Sequence, residues 1–190
     1  MRRLNTFAAD MIPIRLIISI VIIAAILFIM VVASSSLRII LAEHQVEQQC
    51  HFLESSLSTM IAGGVSRDVD DIDDADGTKR TLTFHLPDSL IYLSFGGDPD
   101  PMNSGLYRSG LTEDGASIFY RVEGGSKKVI WLPKETCKFR EGASVGNRWM
   151  MNDTEQSYVV TTGGEITLIF ERVQKNHRFY ILIHGYDDIE

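Results

Sequence analysis

The strongest constraint on this chain is an apolar run that extends from Ile14 to Ala33. Eighteen of its twenty residues are apolar, and only Arg15 and Ser19 interrupt it. Twenty helical residues span about 30 Å, which is the thickness of the hydrocarbon core of a bilayer. A small soluble domain has no room to cover such a helix on every side. The run therefore predicts a transmembrane helix over residues 14–33, with the lipid bilayer as its partner.

A cleaved secretory signal is the alternative interpretation of this run. The apolar core of a signal peptide is usually about 7–15 residues long, which is shorter than the run observed here. Val31-Val32-Ala33 followed by Ser34 is nevertheless an acceptable cleavage site for a signal peptidase.

The charges before the apolar run predict the orientation of the chain. Arg2, Arg3 and Arg15 precede or begin the run, with Asp10 as the one acidic residue among them. Positive flanks are retained in the cytoplasm. We therefore expect a cytoplasmic leader over residues 1–13 and an extracytoplasmic C-terminal part in a single-pass membrane protein.

The helical pattern continues beyond the membrane run, over residues 34–63. Apolar residues recur there at spacings of three and four, which is typical of one buried stripe on an amphipathic helix. The stripe consists of Ile39, Ala42, Val46, Cys50, Leu53, Leu57 and Met60. Gly63-Gly64 is a plausible C-terminal stop. Two interpretations of the stripe are open. The stripe packs against the chain's own downstream domain, or it forms the seam of a coiled-coil dimer.

The remaining residues, 81–190, predict a β-rich head. Short runs of β-branched and aromatic residues alternate with turn sequences such as Pro87-Asp88, Gly124-Gly125 and Gly163-Gly164. This pattern predicts hairpins in an antiparallel sheet of about six to eight strands. The expected fold class is α+β, with one long N-terminal helix followed by an antiparallel β head.

An acidic segment joins the two parts, over residues 64–80. Six aspartates fall within the nine residues from Asp68 to Asp76. The EF-hand template does not fit, because Ile72 and Thr83 fall at positions that need acidic ligands. We expect a solvated acidic linker, with a looser calcium site as the alternative. We predict that the chain has no metal site and no cofactor.

Two residue types are candidates for covalent modification. An exported head can form disulfides, so Cys50 on the stripe and Cys137 in the head are a candidate pair, with two buried free thiols as the alternative. Asn152-Asp153-Thr154 is a candidate N-glycosylation sequon.

Charge and motif content exclude two broad functional classes. Lys and Arg number 18 against 25 Asp and Glu, and the whole net charge of −7 falls after residue 63. Such a balance argues against nucleic-acid binding. The histidines, which are His44, His51, His85, His177 and His184, show no metal-ligand spacing, and no nucleophile or nucleotide-binding motif is present. We therefore predict no catalytic residues and a protein that is not an enzyme.

The layout of the chain resembles that of type IV pilins and pilin-like proteins. The resemblance rests on the charged leader from Arg2-Arg3 to Asp10, on Met11-Ile12-Pro13-Ile14 at the entry to the apolar run, and on the helix that continues into a β head. The closest likeness is to archaeal pilin-like membrane proteins. It implies processing after Ala8 or Ala9 and packing against other pilin-like subunits through the N-terminal helix.

Two functions follow as expectations. The first is a membrane-anchored, pilin-like structural or assembly subunit of a surface filament or secretion apparatus. The second is a single-pass membrane protein whose β head is an extracellular binding module.

Overall fold

One long helix forms the N-terminal part of the chain. The computed structural model describes residues 6–71, 73–105, 116–132, 138–145, 148–151 and 156–185. Helix α1 runs without a break from Thr6 to Gly63, and the last turn closes through a 2.8 Å bond from the Gly64 N–H to the Met60 carbonyl. The chain divides into two compact units between Ile40 and Leu41, inside this helix. The predicted continuous helix and its stop at Gly63-Gly64 are confirmed.

The rest of the described chain is built of strands, so the α+β class is confirmed in its coarse form. In chain order the strands are β1 (Arg67–Asp68), β2 (Lys79–Leu86), β3 (Leu90–Phe95), β4 (Ser117–Val122), β5 (Lys128–Trp131), β6 (Lys138–Val145), β7 (Arg148–Met151), β8 (Tyr158–Val160), β9 (Gly164–Lys175) and β10 (Arg178–Gly185).

The first sheet is organised around the long strand β9. One edge of β9 pairs with β10 in an antiparallel hairpin, whose turn residues Asn176 and His177 have φ values of 51° and 61°. Two consecutive positive φ values are the signature of the type I′ turn that matches the twist of a hairpin. The other edge of β9 pairs antiparallel with β2 and, further along, parallel with β1.

The first sheet continues on the far side of β10. Strand β6 pairs with β10 in parallel, and β7 pairs with β6 in an antiparallel hairpin. The second sheet has four strands in the order β5-β4-β3-β8, and all of its pairs are antiparallel.

The prediction of a single antiparallel sheet is wrong in two respects. The strands of the described residues form two sheets, and β1–β9 and β6–β10 are parallel pairs. The turns at Pro87-Asp88 and Gly163-Gly164 do not close hairpins, because β2 and β9 belong to the first sheet whereas β3 and β8 belong to the second. A parallel pair needs a long connection between its strands, so local turn signals carry no information about it.

The main core lies between the two sheets and α1. Four phenylalanine rings meet there at centroid distances of 5.7–6.2 Å: Phe84, Phe139 and Phe170 from the first sheet and Phe95 from the second. Strand β2 shows the alternation of a half-buried strand, with Leu82, Phe84 and Leu86 buried. Consecutive residues of β9 and β10 are buried, which shows that both faces of the first sheet are covered at its centre.

Candidate membrane anchor and the polar groups of the head

The apolar part of α1 leaves its side chains exposed on every side. Its large apolar residues, from Ile14 to Val32, are between 47% and 71% exposed. Within the described chain, one helix is long and apolar enough to cross a membrane, and it lies near the N-terminus with none of its apolar window buried. A helix that is apolar all round and uncovered by protein suits a lipid environment. The anchor predicted over residues 14–33 therefore has the length, composition and exposure that it needs.

The serines of this part of the helix bond to their own backbone. Ser19 Oγ donates to the Arg15 carbonyl at 2.9 Å. Ser34 and Ser35 Oγ donate to the Val31 and Val32 carbonyls, each at 2.8 Å. A hydroxyl that is satisfied within its helix does not need water as a partner, which lowers the cost of placing it in hydrocarbon.

The second half of α1 uses its stripe to pack within its own chain. Ile39 is half-buried, and the stripe residues from Ala42 to Met60 are buried. Gln45 Nε2 donates to the His85 carbonyl of β2 at 2.8 Å, and Glu43 lies 3.7 Å from Lys128 of β5. The stripe is thus covered by both sheets, which supports packing against the head and leaves no free seam for a coiled coil through these residues.

Arg172 stabilises the end of α1. Its Nη1 donates to the Ile61 carbonyl at 2.9 Å and also bonds to the Gly64 carbonyl, and its guanidinium lies 4.8 Å from the centre of the Phe179 ring. The last carbonyls of a helix have no partner within the helix, and they carry the negative end of its dipole. A cation from β9 therefore fastens the C-terminus of α1 to the first sheet.

Cys50 is the candidate site residue that the structure places most clearly. It lies on the stripe and is fully buried, and burial together with the nearby Glu47 carboxylate raises the pKa of its thiol to about 12. Its proposed partner Cys137 and the sequon residue Asn152 lie outside the described residues. The disulfide and the glycosylation both stay predictions.

A buried ion pair lies on the face of the first sheet away from the phenylalanine core. Arg67 Nε and Glu171 Oε1 are 3.0 Å apart, and the side chains of both are 1% exposed. Arg67 Nη2 donates to Glu171 Oε2 at 3.1 Å and to the Trp149 carbonyl at 2.6 Å, and the Gly77 N–H donates to Glu171 Oε1. The sequence carries no signal for this pair, because its partners are 104 residues apart and no spacing rule connects them.

A small apolar cluster, which we call the outer cluster, lies on the same face of the first sheet as this ion pair. Its buried members are Val69, Met151, Val173, Tyr180 and Leu182. Cα partners across a ladder place their side chains on one face, and the register pairs Glu171 with Leu182 and Val173 with Tyr180. The outer cluster therefore covers the second face of the first sheet.

Most aspartates of the acidic segment are exposed, but the segment is attached to the first sheet at several points. Its first residues form β1, Val69 is buried in the outer cluster, and Gly77 is buried close to the Arg172 carbonyl, where a Cβ would collide with that oxygen. Arg148 Nη2 also donates to the Asp74 carbonyl at 2.9 Å. The segment can attach in this way because Val69 alternates with charged neighbours. Its apolar side chain enters the outer cluster while the carboxylates stay outside.

The aspartates of this segment bond mainly to its own backbone. Asp74 Oδ2 accepts from the Asp68 N–H at 2.7 Å, and Asp68 Oδ1 accepts from the Asp70 N–H at 3.0 Å. A hydrogen bond from Lys79 is the largest cause that lowers the pKa of Asp76. Within the described ranges, no group of three or more His, Cys, Asp or Glu side chains is placed to hold a metal ion.

The histidines are dispersed over the molecule. His44 and His51 lie exposed on α1 beside Glu47 and Glu54, and His85 lies beside Glu165 on the first sheet. His184 is buried and stacks on Trp149 with ring centroids 3.8 Å apart and planes 7° from parallel. Their positions show structural contacts rather than a shared site.

Comparison of the chain with protein-family models, with curated proteins and with solved structures finds no match.

Proposed function

We propose that this chain is a single-pass membrane protein and that it works as a pilin-like structural or assembly subunit of a surface filament or secretion apparatus. The observation that carries the proposal is that the two halves of α1 have different surfaces. Its first half presents apolar side chains in every direction, and its second half buries a stripe against the sheets of the same chain. An apolar surface without a protein cover needs lipid or other apolar helices as its environment.

The expected orientation follows from the charges that flank the apolar run. With Arg2 and Arg3 in the cytoplasm, the head lies outside, where disulfides and glycosylation can occur. The negative charge of the head suits a soluble exported domain.

Subunit contact through the apolar helix is the step that separates a pilin-like subunit from an isolated anchored protein. We expect chains with Ile22→Cys or Ile29→Cys to form disulfide-linked dimers after mild oxidation in native membranes, because one added thiol per chain can form one disulfide. The double variant Ile22→Cys/Ile29→Cys, with two added thiols per chain, should form a ladder of higher species. Ser55→Cys, on an exposed position of the part of α1 packed on the head, is the control with the same reactive group. The unsubstituted chain, treated in the same way, reports any linkage through Cys50 or Cys137.

The absence of disulfide-linked dimers from both Ile22→Cys and Ile29→Cys, at native expression levels, would overturn assembly through this helix. Intact-mass measurement of the membrane-extracted chain tests processing separately. A mass that retains Arg2 contradicts cleavage after Ala8 or Ala9.

A second candidate function is an anchored binding module, and one observation favours it. Trp131 is 58% exposed on β5, the terminal strand of the second sheet, with the exposed Val129 on the same face. Aromatic side chains in exposed positions are frequent anchors of protein interfaces. A photo-crosslinking residue at Val129 should then give one adduct of defined mass, whereas the same residue at the exposed Thr81 of the first sheet should give none.

A further inference from the structure

The exposed apolar surface of α1 does not end where the apolar run of the sequence ends. Beyond the serines at 34–36, the side chains of Leu37, Ile40 and Leu41 are 58–66% exposed. Burial against the head begins at Ala42. A bilayer surface at Ala33 would leave Leu37 in water and would place Ile40 and Leu41 about 10–12 Å beyond the hydrocarbon.

Two arginines bracket a longer segment of the same helix. Arg15 and Arg38 are 23 residues apart, which corresponds to about 35 Å along a helix axis. This distance slightly exceeds the thickness of the hydrocarbon core, and the long arginine stems can extend toward the headgroups at both surfaces. Between them, the polar side chains are those of Ser19 and the three serines at 34–36.

The serine triplet can enter hydrocarbon because each of its hydroxyls already has a partner. Ser34 Oγ donates to the Val31 carbonyl, and Ser35 and Ser36 Oγ both donate to the Val32 carbonyl, the latter at 3.3 Å. The energetic barrier to burying a hydroxyl in lipid is the loss of its hydrogen bond to water. Here the helix backbone replaces that bond.

We infer that the lipid-embedded segment of α1 is Leu16–Leu37 rather than residues 14–33, with Arg15 and Arg38 at its two headgroup surfaces and the serine triplet inside the acyl region. The inference rests on the proposed membrane anchoring and deepens it by naming the residues that contact acyl chains. Lipid is the occupant that fits, because the surface is apolar all round the helix and carries cations at its two ends.

Cysteine accessibility in native membranes tests the register. Ser35→Cys and Ser36→Cys are compared with Ser55→Cys, the same substitution at an exposed position farther along α1. A membrane-impermeant maleimide is applied to intact membranes, and the modified peptides are then identified by mass. Peptide mapping separates the introduced thiols from Cys50 and Cys137.

We expect Ser55→Cys to react quickly and the two triplet variants to react at least about tenfold more slowly, since a thiol in hydrocarbon is neither ionised nor reached by the reagent. After solubilisation in SDS, all three should react at similar rates. Comparable rates in membranes, for a chain that resists an alkaline carbonate wash, overturn the register alone. Release of the chain by the wash overturns the anchoring and the register together.

Discussion

At the scale of single residues, Arg67 and Glu171 show how the head accommodates charge in its interior. Two opposite charges that are 1% exposed can be buried because they bond to each other in two places and to backbone groups of Trp149 and Gly77. A pair of this kind adds little net stability compared with apolar residues of the same volume. Removal of one partner is costly, because the other charge then stays buried without compensation.

Replacement of Glu171 by Gln should therefore destabilise the head strongly. We expect the free energy of unfolding to fall by about 3–5 kcal/mol, the usual effect of breaking a buried ion pair. Glu165→Gln, at an exposed carboxylate on the same strand, should change it by less than about 0.5 kcal/mol. Denaturant unfolding of the detergent-solubilised chains measures both, and equal effects would contradict the role of the pair.

Cys50 should be unreactive in the folded chain. Its pKa of about 12 against 9.0 for an ordinary thiol lowers the thiolate fraction at pH 8 by about a thousandfold, and burial also blocks access. Iodoacetamide should modify Cys50 only after denaturation, as followed by peptide mass. A mass that shows Cys50 linked to Cys137 before reduction would contradict the free thiol and support the disulfide.

The raised pKa of Cys50 also gives the direction in which the stability of the fold changes with pH. Because the folded state holds the thiol proton more tightly than the unfolded state, the stabilising contribution is complete below pH 9. It is lost progressively as the pH rises from about 9 toward 12. Cys50→Ala should remove this part of the alkaline loss of stability.

At the scale of elements, α1 demonstrates that neighbouring residues of one helix face different environments. Leu53 is 0% exposed within the stripe, and the adjacent Phe52 is 61% exposed. A step of one residue turns the side chain by about 100° around the helix, which is enough to move it from core to solvent.

Leu53→Ala should lower the free energy of unfolding by about 2–5 kcal/mol, because it removes buried methyl groups and leaves a cavity. Phe52→Ala is the matched control, with a larger side chain removed from an exposed position. It should cost less than about 1 kcal/mol. Thermal or denaturant unfolding in detergent compares them, and a larger loss for Phe52→Ala would contradict the packing of the stripe.

At this scale, an element could be predicted from the sequence where its own residues carry a local pattern. The stripe and the strands β2, β3, β4, β5, β8, β9 and β10 carry local periodicity or β-branched runs, and the predicted stripe and β-rich head rest on these signals. Strands β1 and β6 carry weaker signals, since Arg67–Asp68 is only two residues long and Lys138–Val145 contains Gly142 and charged residues. Their pairing partners, rather than their own propensities, make them strands.

At the scale of the whole molecule, the proposed membrane association rests on the first half of α1. Charges in the middle of a transmembrane helix cost about 2.5–3.5 kcal/mol each for insertion. The double variant Ile23→Asp/Ile26→Asp should therefore lose most of its carbonate-resistant membrane fraction. The matched double variant Ser55→Asp/Ser58→Asp, with the same spacing on an exposed face of the same helix, should keep it.

Membrane fractionation and immunoblotting measure this distribution. Retention of the Ile23→Asp/Ile26→Asp chain at the level of the control would show that something other than the apolar segment holds the protein at the membrane. That outcome would contradict the proposed anchor.

The sequence by itself determined the features that depend on composition and local period. These are the apolar segment, the stripe from Ala42 to Met60, the end of α1 at Gly63 and the presence of a β-rich head. Each is local, because hydrophobicity and helical period act over a few turns of chain.

Only the tertiary structure decided how the strands are shared between two sheets and which of them pair in parallel. It also decided that Glu171 bonds to Arg67, which is 104 residues away in the sequence. It decided as well that Val69 packs in the outer cluster and so places the acidic segment against it. These contacts form because both faces of the first sheet are buried. Apolar side chains and paired charges from distant parts of the chain cover those faces. Which residues cover a sheet face depends on the folded structure as a whole, so no periodic pattern in the sequence indicates them.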